Sequence, residues 1–223
     1  MRTESIDACG VIFDMDGVLV DSAAAHLAAW QRLGDEVGEP FSEELFRSTF
    51  GMHNNQIVPS WLGRAVSEAE VAALATRKES LYRGEAARCV RAIPGAVALV
   101  RVLAAGGWRL AVGSSGPRAN VELLLSVIGV AGLFAGLATG DEVREGKPHP
   151  EIFLIAARLL GLAPARCLVI EDAPQGITAA RRAGCPVIAV ATTHDARELG
   201  DANAVLSGME QVDATIIRAV LDC

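Results

Sequence analysis

Short apolar runs that predict strands alternate along most of the chain with apolar positions at helical spacing. Three of the runs, residues 11–13, 108–112 and 167–170, lead directly into polar clusters. Apolar side chains three and four residues apart predict the helices that follow. The most regular of these helical sets is Val121, Leu124, Leu125 and Ile128. Further strands are expected at residues 134–138, 186–190 and 204–206.

Strand–helix alternation predicts an α/β fold with a parallel sheet and helices on both faces. Residues 22–90 break this pattern, because they contain helical signals and no strand signal. We expect a helix at residues 27–37, a short helix at 45–50 and a loop at 51–59. A further helix should begin near Ser67, which has capping-box spacing with Glu70. The chain therefore divides into a core, residues 1–21 and 91–223, and an inserted helical domain, residues 22–90.

Composition narrows the classes of function. The 223 residues are 51% hydrophobic and carry a formal charge of −7, which disfavours a nucleic-acid partner because a basic face is needed there. No stretch resembles a signal peptide or a membrane span, so we expect a cytoplasmic protein without a membrane partner. The five scattered cysteines indicate reduced thiols, and packing is the expected role of Cys9 and Cys167.

Asp14 and Asp16 follow the first apolar run directly and precede Gly17. A carboxylate at a strand tip can attack phosphorus, which makes Asp14 a candidate nucleophile. Asp16 projects to the same side two residues on, where it can donate and accept a proton. Asp-x-Asp-Gly also occurs in calcium loops, but the apolar residues that follow lack the further oxygen ligands of an EF-hand.

Glu171 and Asp172 end another apolar run, at the same predicted edge of the sheet. Carboxylates buried beside Asp14 would repel it unless a cation lies between them. Mg²⁺ fits, because it prefers oxygen ligands and works with phosphates. Taken alone, the pair also suits a helix start, since Pro174 stands at an early helix position.

Three further segments supply candidates for contacts with a phosphate or substrate. Ser114 lies in a Gly-Ser-Ser-Gly turn whose backbone N–H groups, including those near Ser115 and Gly116, can hold an anion. A plain N-cap serine is the alternative. Lys147, in a stiff Gly-Lys-Pro loop, offers a fixed ammonium for a phosphoryl oxygen, although a single lysine is ordinarily solvated surface. His26 lies one turn after Ser22 and is placed to face the cleft.

These segments, taken together, resemble the four motifs of the haloacid-dehalogenase superfamily. The resemblance rests on residues 13–22, 114–115, 146–151 and 171–176, whose order and spacing match across nearly the whole chain. The helical insert is similar to the small cap of the branch that contains β-phosphoglucomutase and phosphoglycolate phosphatase. The resemblance implies a three-layer Rossmann-like core with an α-helical cap, and a monomer or, as the alternative, a dimer.

The resemblance also implies roles for the motif residues. Asp14 would be the nucleophile, Asp16 the acid/base, and Ser114 and Lys147 would hold the phosphoryl group. Mg²⁺ would be bound by Asp14, the Asp16 carbonyl and Asp172, with Glu171 close by. The acid at position 16 favours phosphoryl transfer over dehalogenation, because an alkoxide leaving group needs a proton and a halide does not.

The cap bears on the choice between a phosphatase and a mutase. Lys78 falls near a lysine of the β-phosphoglucomutase cap, but Asn54 stands where that enzyme has an arginine for a second phosphate. Losing a guanidinium removes a bidentate phosphate clamp. We therefore expect a Mg²⁺-dependent phosphatase acting on a small phosphorylated metabolite, with His53, Asn54, Asn55 and Lys78 selecting the substrate. A phosphosugar mutase and a non-catalytic phosphate-binding module are the alternatives.

Overall fold

The computed structural model describes residues 9–222, which form a six-stranded sheet covered by helices on both faces. Cys223 and residues 1–8, where a signal peptide would begin, lie outside the described residues. All the neighbouring pairs of the sheet are parallel, in the order β5-β4-β1-β6-β7-β8. The strands are β1 Gly10–Phe13, β4 Arg109–Gly113, β5 Gly136–Ala138, β6 Cys167–Glu171, β7 Val187–Val190 and β8 Ala204–Leu206. The predicted α/β class is confirmed.

Side-chain alternation along β1 divides the core into two apolar layers. Val11 and Phe13 belong to the layer that includes α5 (Ala96–Ala105), α6 (Arg118–Val127) and α9 (Ala214–Leu221). Ile12 belongs to the opposite layer, with α7 (Glu151–Leu160) and α8 (Pro174–Ala183). All three β1 side chains are fully buried, as expected for a central parallel strand with both faces covered.

The helical segment that follows β1 and precedes α5 consists of α1 Ala23–Val37, α2 Glu43–Thr49, α3 Asn54–Leu62 and α4 Glu68–Cys89. Helices α1 and α4 pack together, and α3 packs on α4. Trp30 stacks on Phe41 with ring centroids 4.9 Å apart, and Trp61 meets both rings edge-on. The chain enters and leaves this segment through a two-stranded antiparallel ribbon, β2 Val20–Asp21 with β3 Arg91–Ala92. The division into a core and a cap stays a prediction.

Two sequence expectations are corrected. Residues 51–59 do not form a loop throughout, because α3 begins at Asn54 and contains Pro59. His53 and Gln56 form a capping box that stabilises its start, and Ile57 and Val58 are buried. The expected box at Ser67 is half made: Ser67 accepts from the Glu70 amide, but the Glu70 side chain pairs with Arg64.

Helix α9 is not predicted by the sequence pattern, although two signals mark it. Asp213 caps its first turn by accepting from the amides of Thr215 and Ile216. Ile217 and Leu221 then lie four residues apart and are buried against the sheet. Cys9 and Cys167 are also buried, as their sequence context predicts. Within residues 9–222, no helix combines the length and the apolar character needed to span a bilayer.

Candidate active site

The register of the three central strands places their carboxyl ends at one level. Phe13 pairs with Val112 of β4 and with Ile170 of β6. The residues that follow are therefore neighbours at one edge of the sheet, where ligands bind in open parallel sheets. The Asp14 amide donates to the Ile170 carbonyl at 3.0 Å, which extends the ladder by one step and fixes the Asp14 side chain at the strand tip.

Asp14, Glu171 and Asp172 bring three buried carboxylates to this edge. Each offers an oxygen within 4.8 Å of the others. Lys147 Nζ donates to Asp14 Oδ1 at 2.5 Å and to Glu171 Oε1 at 2.6 Å. The second Glu171 oxygen accepts from the amides of Asp172 and Ala173, at 2.8 and 2.9 Å. Glu171 is thus engaged on both oxygens, while Asp14 and Asp172 face what we call the acidic cavity.

The acidic cavity is lined by Asp14, Asp16, Lys147, Glu171, Asp172 and Gln175, with four neighbours. Burial, with Glu171 and Asp16 nearby, raises the pKa of Asp14 to about 7 despite Lys147. Burial, with Glu171 and Asp14 nearby, raises the pKa of Asp172 as well. Burial opposes the charge on Lys147, yet Asp14 and Glu171 raise its pKa. One ammonium among three carboxylates leaves an excess of negative charge.

A divalent cation fits this donor set. The carboxylate oxygens are close together, buried and short of positive charge, which suits a hard ion such as Mg²⁺. Among the described residues, buried Gln175 Oε1 has no hydrogen-bond partner and lines the same cavity. That oxygen is available to the ion or to its water.

Two glycines keep the carboxylates close together. Gly17 has φ +86°, and a Cβ there would lie 2.1 Å from Asp172 Oδ2. A Cβ on Gly176 would lie 1.7 Å from Glu171 Oε1. Any larger residue at either position would displace a carboxylate or strain the turn.

Asp16 lies between the acidic cavity and a second one. Its Oδ1 accepts from the Ser22 hydroxyl and lies 3.3 Å from His26 Nε2. Lys78 Nζ lies 2.7 Å from His26 Nδ1, and since an ammonium only donates, Nδ1 accepts and the Nε2 proton faces Asp16. Burial raises the pKa of Asp16, but His26, Ser22 and Lys78 outweigh it and lower that pKa. These contacts stabilise the carboxylate form.

The second cavity, here the cap-side cavity, lies between residues 22–90, the predicted cap, and the turn after β4. Its lining includes Asp16, His26, Asn54, Lys78, Ser115 and Gly116. Six of the residues predicted from sequence therefore meet here. Ser114 does not line this cavity. It is buried, and its hydroxyl accepts a hydrogen bond from the Gly116 amide at 3.1 Å. The turn residue Pro117, rather than Ser114, precedes α6 as its N-cap.

His53 and Asn55 do not line the cap-side cavity with Asn54. The His53 ring caps α3 through the Asn55 amide and lies 3.3 Å from the Gly140 carbonyl of the core. Asn55 is exposed. The first residue of α3, Asn54, points inward and donates to Glu79 Oε1 at 2.9 Å.

Sequence reasoning missed several residues of the site, among them Gln175, Thr193 and Glu79. Thr193, after β7, donates to Asp172 Oδ2. Glu79 lines the cap-side cavity and accepts from Asn120 of α6. A signal existed for Thr193, because it follows the carboxyl end of a strand. Nothing local distinguishes Glu79 from the other acids of a long helix.

The comparisons with known proteins agree with this geometry. Residues 10–184 match the model of the haloacid dehalogenase-like hydrolase family. The chain belongs to that family. It is 36% identical over 210 residues to hexitol phosphatase A of Escherichia coli, covering 92% of this chain and 94% of that protein. It is 35% identical over 207 residues to validoxylamine A 7'-phosphate phosphatase of Streptomyces hygroscopicus, covering 90% and 94%.

A solved structure extends the likeness to the fold. The crystal structure of β-phosphoglucomutase from Clostridium difficile is 26% identical and superposes with a TM-score of 0.86, covering 96% of this chain and 97% of that one. The resemblance inferred from the motifs is therefore confirmed. The phosphatases among the relatives support a phosphatase assignment for this family member.

Proposed function

We propose that the protein is a Mg²⁺-dependent phosphatase that hydrolyses a small phosphorylated metabolite of the sugar-phosphate type. The observation that carries the proposal is Asp14 at the tip of β1, hydrogen-bonded to Lys147 and beside Asp172. That arrangement supplies a nucleophile, a fixed ammonium and a cation site within one buried cavity. The named phosphatases among the relatives support the substrate class.

The chain's own residues divide the chemistry as follows. The Asp14 carboxylate attacks phosphorus, an aspartyl-phosphate forms and the ester oxygen leaves with a proton from Asp16. Water then attacks the phosphorus, Asp16 takes its proton, and Asp14 is released with inorganic phosphate. Lys147 holds a phosphoryl oxygen throughout. Asp16 must acquire a proton for the first step, so substrate binding has to weaken its contacts with His26 and Ser22.

Mg²⁺ would be held by the side chains of Asp14 and Asp172 and the Asp16 carbonyl, with Glu171 and Gln175 nearby. When bound, it offsets the excess carboxylate charge and the charge of the phosphoryl group. We further propose that residues 22–90 act as a cap that excludes water from the acidic cavity. Ser114 is proposed to support the phosphate-binding turn through Gly116, with Ser115 and Gly116 facing the substrate.

The test is release of phosphate from p-nitrophenyl phosphate and a panel of phosphorylated metabolites, with Mg²⁺ and with EDTA. We expect turnover with Mg²⁺, loss with EDTA and recovery when Mg²⁺ is restored. Absence of metal-dependent turnover across the panel would favour the non-catalytic phosphate-binding module. Conversion of β-glucose 1-phosphate into glucose 6-phosphate, without net phosphate release, would favour the mutase.

A further inference from the structure

Two carboxylates and one ammonium lie on the wall of the cap-side cavity. Among its lining residues within the described chain, Lys78 is the one lysine, and none is an arginine. Two carboxylates, Asp16 and Glu79, line the same cavity. A substrate attached through its phosphate at Asp14 would extend its remaining part toward this wall. Whether Lys78 is free to pair with a substrate therefore decides which kinds of substrate tail the wall accepts.

The Lys78 ammonium is already paired with other groups of the protein. It donates to Glu79 Oε1 at 2.9 Å and lies 2.7 Å from His26 Nδ1. The rings of Trp30 and Tyr82 lie 5.3 and 5.2 Å from it, within cation–π range. The Lys78 side chain is only 3% exposed. Its charge is therefore already paired and screened by groups that belong to the cap itself.

Glu79 is fixed in place by donors from both parts of the molecule. Asn54 of the cap donates to Oε1, and Asn120 of α6 in the core donates to Oε2. Arg83 in turn donates to Asn120 Oδ1 at 3.0 Å, which fixes the orientation of that amide. Turning Glu79 away to free Lys78 would leave the buried Lys78 ammonium without its carboxylate and the Asn54 and Asn120 amides without their acceptor, a costly outcome.

We infer that Glu79 is a specificity-determining residue: by neutralising Lys78 it makes the cap-side cavity accept an uncharged hydroxylated tail and reject a second phosphate or a carboxylate. The inference rests on the proposed phosphatase function. An anionic tail would meet Asp16 and Glu79 with no free cation to compensate, and a buried unpaired charge is strongly disfavoured. Uncharged hydroxyls can instead share the hydrogen bonds of Asn54 and the carboxylates.

The first experiment uses wild-type protein and matched substrate pairs with Mg²⁺. Glucitol 6-phosphate and 6-phosphogluconate differ by a terminal hydroxymethyl group against a carboxylate, and so do glycerol 3-phosphate and 3-phosphoglycerate. Each is assayed as a substrate and as a competitor of p-nitrophenyl phosphate hydrolysis. We expect the neutral member to be preferred by roughly tenfold or more in kcat/KM or in inhibition constant.

Equal or inverted preference within both pairs would overturn the inference while leaving the phosphatase proposal intact. Absence of metal-dependent turnover on every ester would overturn the phosphatase proposal, and with it this inference. The two failures are therefore distinguishable in one data set.

The second experiment changes the residue. Glu79→Gln removes the charge and keeps the shape, so the preference for the neutral member should shrink by roughly fivefold or more. Glu85→Gln is the matched control, because Glu85 is on the same helix, pairs with Arg88 and does not line the cavity. If Glu79 had only a structural role, Glu79→Gln would lower kcat/KM for both members of a pair in proportion. An unchanged ratio in Glu79→Gln would therefore contradict the inference.

A third variant tests the inference even if Glu79→Gln does not fold. Met52 lines the same cavity and is only partly buried, so Met52→Lys places an unpaired ammonium on the wall. We expect Met52→Lys to raise kcat/KM for 6-phosphogluconate relative to glucitol 6-phosphate. If the added charge leaves that ratio unchanged, tail charge is not what the wall discriminates, and the inference fails.

Discussion

Lys147 Nζ lies 2.5 Å from Asp14 Oδ1, although the two residues are 133 positions apart in the chain. The contact joins the loop before α7 to the tip of β1, and Phe153 adds a ring 4.9 Å from the ammonium. Both side chains are almost completely buried. The proposed nucleophile and its cation are thus positioned before any substrate binds, which is how an enzyme avoids reorganising charge during reaction.

Asp14→Asn should abolish turnover while the protein stays folded. An amide cannot attack phosphorus, so kcat should fall by about 1000-fold or more. Since burial raises the pKa of Asp14 to about 7, its charge is held unfavourably, and the thermal midpoint should be kept or raised. Exposed Asp35 on α1 supplies the control Asp35→Asn. Wild-type-like activity of Asp14→Asn would refute the nucleophile assignment.

Asp16→Asn should distinguish substrates by their leaving group. Expelling an alkoxide needs a proton donor, whereas p-nitrophenolate leaves readily without one. We expect kcat/KM to fall by roughly 100-fold or more for an alkyl phosphate and by much less for p-nitrophenyl phosphate. An equal loss on both substrates would contradict the acid/base role and point to a structural one.

Mg²⁺ should stabilise the folded protein without substrate. A ligand that binds only the folded state raises the thermal midpoint, and the rise grows with the logarithm of the free ligand concentration above the dissociation constant. We therefore expect Mg²⁺ to raise the midpoint of wild type, and Asp172→Asn to reduce the rise, with Asp35→Asn as the control. The same rise in Asp172→Asn and wild type would place the cation elsewhere.

The stability supplied by Glu79 should depend on pH. Burial raises its pKa, but Lys78, His26 and Asn54 outweigh burial and lower it from 4.5 to about 2. Because the folded value is the lower one, ionised Glu79 stabilises the fold above about pH 4.5, and the effect is lost as the pH falls toward 2. The difference of about 2.5 pH units corresponds to a stabilisation on the order of 3 kcal/mol.

Urea denaturation of wild type and Glu79→Gln checks this at about pH 7, 5 and 4. The gap in free energy of unfolding should be constant near neutrality and narrow at the lowest pH. Glu85→Gln should show a small, pH-independent gap, because exposed ion pairs contribute little. A Glu79→Gln gap that widens on acidification would show that the carboxylate destabilises the fold.

The sequence by itself determined the sheet and the acidic edge of the site. Runs such as residues 11–13 and 167–170 are apolar on both faces, and acids follow them at once, so a parallel sheet places Asp14 and Asp172 at the same edge. Their direct contact depends on β1 and β6 being neighbours in the sheet. The loop predicted at residues 51–59 was wrong in part. Pro59 lies inside α3, because the burial of Ile57 and Val58 outweighs the local preference for a loop.

Only the tertiary structure decided how residues 22–90 contribute to the site. Asn54 and Lys78 were recognisable as candidates, but their partner Glu79 was not, since one acid of a long helix gives no local signal. Its significance comes from its hydrogen bond with Asn120 of α6, which is 41 residues away in the chain. Contacts between distant residues depend on how helices pack, and the spacing of apolar positions along one helix does not specify them.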